Sequence, residues 1–445
     1  MDSNVSPNIE SRRMMAKVFG KTHLLQKDER FDKIPIEHIP IGETSDGKLV
    51  CLPKEFRDEP VIIICGGRGS GKTWLLHTIL DRTNKYTDKN CLILNDYMNE
   101  STWWNWGWDD ETRKRRLIKL NEESVPLPIM HFFPSSNSLK KEVFRRRYRY
   151  VLSIPFSTII DHAEEYFNWK PERDKIYYYF KNAAEKFKLA KSEEEVNEII
   201  EEEFASVSTK GNEMFASMKF KLKNIMAEVF RANYTTLTCH ESVESIELKD
   251  KTTGEIMYKN DPISACYMAG IVPAIMTSDI LTHERYASLF FYYILQQRWE
   301  KKELPEFRNK AEWFFIDEVN KITGKGNEKL TEYVTRGRHK RFGMVVCTQN
   351  YSTMNKFMKQ NKDYTFVLRQ NSDVEIKAIS NDWGLKKFEE DTIQTLKTQE
   401  VLGLTTQKFF IYDRNGVPYP HTEPIKMKSL FPLSYHAPPN IMKKE

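Results

Sequence analysis

No stretch of this 445-residue sequence is apolar for long enough to cross a bilayer. The longest such run, Ala287–Leu295 (ASLFFYYIL), falls far short of the ~20 residues a transmembrane helix needs. The opening segment, MDSNVSPNIESRRMM, carries no apolar core of the secretory kind, so no signal peptide is expected there. Six cysteines stand singly at Cys51, Cys65, Cys91, Cys239, Cys266 and Cys347, with no CxxC pair. That spacing excludes a zinc ribbon or a disulfide framework. Cys65 and Cys347 lie inside apolar runs and read as buried thiols, and the whole set fits a reducing, cytoplasmic compartment. Charge of one sign is also lacking. The 68 Lys and Arg against 63 Asp and Glu leave only +5, which permits a nucleic-acid partner without arguing for one. There is no internal repeat and no low-complexity tract. His131, His162, His240 and His283 have neither metal nor nucleophile spacing, and no Ser/His/Asp arrangement stands out.

What is present is a core-forming chain, 40% hydrophobic and 29% charged. IPIEHIPIGETSDGKLVCLP reads as a short strand and hairpin. PVIIICGG (60–67) is a continuous β-branched run ending in glycines, the mark of a strand buried on both faces. TWLLHTILDRT then has helical spacing, CLILND (91–96) is a second buried strand, and IMHFF (129–133) a third. From 136 to 267 the texture becomes charged and helical. Strands return with GIVPAIMTSD, EWFFIDEVNKI, FGMVVCTQN, YTFVLRQ and the hairpin QKFFIYDRNGVPYPH, separated by helices at THERYASLFFYYILQQRWEKK and KLTEYVTRGRHKR. Strands alternating with helices describe an α/β fold with a parallel sheet.

Gly66-Gly67-Arg68-Gly69-Ser70-Gly71-Lys72-Thr73 matches GxxxxGK[ST] in full, and it lies between a buried strand and a helix, where a phosphate loop belongs. The glycines let successive N–H groups converge on one anion, and the helix dipole adds to that field. Lys72 would bridge the β- and γ-phosphates of ATP, and Thr73 would ligate Mg²⁺. A chance glycine-rich turn is the competing reading. WFFIDE places Asp317 and Glu318 at the end of an apolar strand, where Asp317 would support Mg²⁺ and Glu318 would polarise the attacking water as general base. Without the phosphate loop the pair would be an ordinary acidic strand end. The long separation between loop and acids points to a RecA-like (ASCE) P-loop NTPase core, with Gln349 ending the next strand as γ-phosphate sensor. Asp96, ending the second strand, is a further residue expected on the nucleotide side.

FIDEVNKI…KLTEYVTRGRHKRFGMVVCTQN resembles the FtsK/HerA superfamily of DNA-pumping ATPases. SDILTHERYASLFFYYILQQRWEKK and TFVLRQNSDVEIKAISNDWGL are similar to the segments flanking that region, and the resemblance covers roughly 40–120 and 268–425. It implies a ring, a hexamer, threaded by double-stranded DNA. It also implies an arginine finger, Arg336 or Arg338, acting on the neighbouring subunit's nucleotide. Only 65 residues precede Gly66, which leaves no room for the full N-terminal barrel of HerA; neither a membrane segment nor the winged-helix domain of FtsK is seen. The GRH form is similar to viral genome-packaging ATPases of the same superfamily. The expected organisation is an N-terminal arm with short strands (1–50), the first part of the ATPase core (51–135), a mostly helical insertion (136–267), the second part of the core (268–425) and a C-terminal tail (426–445).

Other constellations divide between readings. Lys325 and Lys329 in TGKGNEKL are either DNA-phosphate contacts from a pore loop or a plain surface turn. Lys140, Lys141, Arg145, Arg146, Arg147 and Arg149, interleaved with aromatics, suit a DNA backbone, but a solvated helix face is the preferred reading. Trp103, Trp104, Trp106 and Trp108 suit a packed loop or a subunit interface. The rival to a DNA motor is an ATP-gated assembly protein that switches contacts with a nuclease or capsid partner. An AAA+-like remodeller would need an aromatic pore loop, and none is identified.

Overall fold

The structure is a computed structural model, and it describes residues 37–96, 101, 104, 122, 124–134, 150–152, 154–205, 213–233, 237–239, 261–277, 284–413 and 416–434. The described strands are β1 (His38–Glu43), β2 (Leu49–Pro53), β3 (Val61–Cys65), β4 (Asn90–Asp96), β5 (Ile129–Pro134), β6 (Tyr150–Leu152), β7 (Leu237–Cys239), β8 (Val272–Met276), β9 (Glu312–Ile316), β10 (Phe342–Thr348), β11 (Tyr364–Leu368), β12 (Glu400–Thr405), β13 (Phe409–Tyr412), β14 (Pro418–His421) and β15 (Ile425–Ser429). All of them join one sheet in the order β14-β13-β2-β1-β15-β12-β11-β3-β10-β9-β4-β8-β5-β6-β7.

The run from β11 to β6 is parallel throughout. The strands from β12 outward to β14, and β7 at the other edge, pair antiparallel. The central strands VIIIC, EWFFI and FGMVVCT are buried at every position, because helices cover both faces of the parallel part. Val61, Ile63 and Cys65 face one core, shared with the helices Glu284–Lys301 and Gly324–Arg336. Ile62 and Ile64 face the other, shared with the helix Lys72–Tyr86 and the antiparallel wing. Gly343, the glycine of the FG pair, has a physical cause: a Cβ there would lie 2.7 Å from the Trp313 ring on β9.

The segment 136–267 is mostly helical where described. Its helices Lys175–Leu189 and Glu193–Ala205 bury Ile176, Phe180, Ala183 and Phe187, and Val196, Ile200 and Phe204, at the i,i+3/i+4 spacing of one apolar stripe. Those residues join the same apolar core as the sheet, so this segment packs on it. The segment also holds β6 and β7, which extend the sheet. The boundaries expected at 50/51 and 425/426 fall inside β2 and β15, and neither marks a break in the sheet. β15 lies between β1 and β12 and ties the N-terminal hairpin to the rest. The basic stripe 140–149 and Trp103, Trp106 and Trp108 lie outside the described residues. Trp104 is buried, stacked on His77 at 3.9 Å. Among the described residues, no helix is long and apolar enough to cross a membrane. Burial pushes the Cys51, Cys65, Cys91 and Cys266 thiols up, away from reactivity.

Candidate active site

The glycine loop 66–73, Asp317, Glu318 and Gln349 gather at the carboxyl edge of the parallel strands, the edge at which open α/β sheets place ligands. β3 runs into the loop Gly66–Thr73. Gly67 N donates to Arg369 O at 2.9 Å and Gly66 N to Thr348 O at 3.3 Å, so the loop is anchored to the ends of both flanking strands. Ser70 is buried and its hydroxyl donates to Gly67 O at 2.8 Å. Gly71 takes φ 105°, a left-handed value that lets the chain turn directly into the helix at Lys72. The Lys72 stem is buried and its ammonium reaches back across the loop to Gly67 O at 3.2 Å. Thr73 follows at the helix start, half-buried, while Arg68 and Gly69 face solvent.

β10 separates β3 from the acidic strand β9, the order expected of a RecA-like core. Asp317 is buried, and its backbone is clamped by Asn95: Asp317 N donates to Asn95 O at 2.9 Å and the Asn95 amide donates to Asp317 O. Asn95 in turn accepts from the Thr277 hydroxyl, so β4, β8 and β9 end in register. Glu318 adopts the left-handed conformation, φ 50° and ψ 60°. From there its carboxylate accepts a hydrogen bond from Gln349 Nε2 at 2.6 Å, which joins the two residues proposed from sequence as base and sensor. Asp96 is turned aside. Its carboxylate accepts from Ser101 N at 3.1 Å and from the Ser101 hydroxyl.

The two arginines part company. Arg338 forms an ion pair with Asp363 at 3.0 Å and donates to Asn361 O. Arg336, the last residue of its helix, is exposed and makes no hydrogen bond or ion pair with any described residue. Both lie at the amino edge of the sheet, opposite the phosphate loop. Lys325 and Lys329 do not lie in a loop. Both lie in the first turns of the helix Gly324–Arg336. Lys329 is buried and bound to Glu332 at 2.6 Å, and Lys325 pairs with Glu165 at 3.4 Å and bonds His162 Nδ1 at 2.9 Å.

Two glutamines were not foreseen. Gln370, buried, donates to Gln349 O at 3.2 Å and so ties the end of β10 to the end of β11 beside the loop. Gln399 donates its N–H to Ser70 O at 3.1 Å. Neither belongs to a motif, and only the pairing of β11 and β12 brings them to the loop.

The donors fit a magnesium–nucleotide complex and do not fit a protein-only metal cage. Among the described residues no cluster of three His, Cys, Asp or Glu could hold a metal ion. A hydroxyl (Thr73) and a carboxylate (Asp317) leave the remaining coordination to phosphate oxygens and water, which is how Mg²⁺ is usually held.

No family model and no curated protein matches the chain. Among solved structures it is similar to VirB4 of Thermoanaerobacter pseudethanolicus, with 14% identity over 88% of this chain and 96% of that one, TM-score 0.49. It is also similar to the plasmid coupling protein TrwB in complex with ADP and Mg²⁺, with 14% identity over 85% and 88%, TM-score 0.42. A third similarity is to the genome packaging NTPase B204 from Sulfolobus turreted icosahedral virus 2, with 10% identity over 82% and 98%, TM-score 0.30. At such identities the likeness says nothing about activity.

Proposed function

We propose that the protein is a Mg²⁺-dependent ATPase that works as a ring, a hexamer, on double-stranded DNA.

 The observation that carries this reading is the Glu318–Gln349 hydrogen bond at the same sheet edge as the phosphate loop, with one strand between loop and acid. A carboxylate and a carboxamide so placed are the parts needed to orient a water and to register a γ-phosphate.

In this reading Gly66–Thr73 would cradle the phosphates and Lys72 would neutralise charge across the β,γ bridge. Thr73 and Asp317 would hold Mg²⁺, which supplies further neutralisation as the γ-phosphoryl group leaves. Glu318 would take the proton of the attacking water, and Gln349 would give up its bond to Glu318 in exchange for the γ-phosphate. Arg336, exposed and unpaired, would be the finger in trans, since Arg338 is held by Asp363. The ring and the DNA rest on the motif resemblance, the sequence DE…GRH…FG…TQ.

A second reading has its own support. The insertion meets the helix that follows Glu318 through Lys325, His162 and Glu165, a direct route from the nucleotide to a protein docked on the insertion. Steady-state ATP hydrolysis with and without long double-stranded DNA, over a salt series and with particle mass recorded, separates the two. Stimulation that fades with salt, from a ring-sized particle, is expected of the motor. Hydrolysis indifferent to DNA would favour the partner-switching ATPase.

A further inference from the structure

The acids and the sensor lie on one flank of the phosphate loop, on β9 and β10; β11 and β12 lie on the other. A nucleotide whose γ-phosphate points to Glu318 and Gln349 therefore extends its ribose and base toward β11 and β12. Gln399 stands there, just before β12. Its backbone is left-handed, φ 69°, an uncommon state for a residue other than glycine, asparagine or aspartate. Two backbone bonds impose it: Gln399 N to Ser70 O at 3.1 Å, and Ser429 N to Gln399 O at 2.9 Å. The side chain lies over the last glycine of the loop, where a Cβ on Gly71 would meet Gln399 Cγ at 3.5 Å. The Gln399 amide makes no hydrogen bond with any described residue. One residue past Ser429, Leu430 O accepts the indole N–H of Trp74 at 2.8 Å, and Trp74, one residue beyond Thr73, meets the Phe431 ring edge-on at 5.1 Å, both rings half-buried.

We infer that Gln399 reads the edge of the nucleotide's base, with Trp74 and Phe431 as the apolar ledge beside it, and that the base is adenine. A primary amide offers one donor and one acceptor side by side. Adenine answers with the N7 acceptor and the N6 amino donor, whereas guanine presents two acceptors, N7 and O6, on the same edge. Flat aromatic surface next to the amide suits the face of a purine. The inference rests on the nucleotide reading above and adds a specificity-determining residue to it.

The test is equilibrium binding of ATP, GTP and inorganic tripolyphosphate, each with Mg²⁺, to the full chain and to Gln399→Gly. Glycine accepts φ 69° and keeps the N–H bond to Ser70, so the variant removes the side chain alone. The parent should prefer ATP over GTP by roughly 10-fold, the worth of one amide–adenine pair. Gln399→Gly should lose that preference while binding tripolyphosphate as the parent does. A preference that survives in Gln399→Gly, or an equal loss for all three ligands, would overturn the assignment and leave the phosphate site standing. A parent that binds neither nucleotide nor tripolyphosphate would overturn the nucleotide reading itself, and this inference with it.

Discussion

Glu318 holds a backbone conformation that costs a glutamate about 1–3 kcal/mol and a glycine almost nothing. The strained turn is what carries its carboxylate from the end of β9 to Gln349, just past β10. Two outcomes follow at this residue. Glu318→Gln should lower ATP turnover by roughly 10²-fold or more while nucleotide binding persists, measured by steady-state hydrolysis beside equilibrium binding. Normal turnover would sink the general-base role. Glu318→Gly should be equally inactive yet unfold no earlier than the parent in a thermal melt, because the strain is relieved. The loop, Asp317, Glu318 and Gln349 were legible in the sequence because each belongs to a short motif whose chemistry is fixed by residue type. Gln370 and Gln399 were not, since their roles come from backbone bonds to residues hundreds of positions away in the chain.

Lys302 offers a test by pH. It is buried, its ammonium donates to Phe307 O at 3.3 Å and to Lys310 O, and burial pushes its pKa down to about 8 against the outweighed pull of Glu312. Between that value and the ordinary lysine pKa, the unfolded chain binds the proton that the folded chain has lost. Stability from this group therefore rises with pH across that window and is flat below it. The difference in unfolding free energy between parent and Lys302→Met should grow in the parent's favour from pH 8 upward. A difference independent of pH would show that Lys302 titrates normally.

At the scale of elements, Asp363 ties together the amino ends of three strands. Its carboxylate accepts from Val61 N at 2.9 Å at the start of β3, from Gln407 Nε2 at 3.1 Å between β12 and β13, and pairs with Arg338 just before β10. Arg338→Ala leaves a buried carboxylate short of its cation and should cost about 1–3 kcal/mol, the guanidinium being partly exposed, measured by denaturant unfolding. Arg336→Ala breaks no side-chain hydrogen bond or ion pair with a described residue and should leave stability unchanged while abolishing turnover. If the two effects were exchanged, Arg338 would be the finger. The central strands were legible because a strand buried on both faces is a continuous apolar run. β15 was not: IKMKS alternates buried and exposed positions and reads as polar tail, and only its pairing with β1 and β12 makes it a strand. The three-residue strands β6 and β7 are too short to carry a periodicity of their own.

At the scale of the whole molecule, the proposed function divides each nucleotide site between two copies of the chain. The helix Gly324–Arg336 leaves the acidic edge and ends at the opposite edge of the sheet, so its 13 residues, ~20 Å of helix, carry Arg336 to the edge away from the phosphate loop of its own chain. No side-chain motion closes that gap, and a finger at Arg336 can only serve another copy. A head-to-tail contact of this kind closes into a ring when its rotation permits. The two defects Lys72→Ala and Arg336→Ala would then lie on opposite sides of one interface. Each variant alone should be inactive. In an equal mixture ~one interface in four joins an intact loop to an intact Arg336, so turnover should recover toward a quarter of the parent's. The recovery should peak near equal mixing and vanish when both changes are placed in one chain and mixed with either single variant's defect unopposed. Activity that stays at the level of the separate variants at every ratio would place the finger elsewhere, and with it the argument for a ring built through this edge.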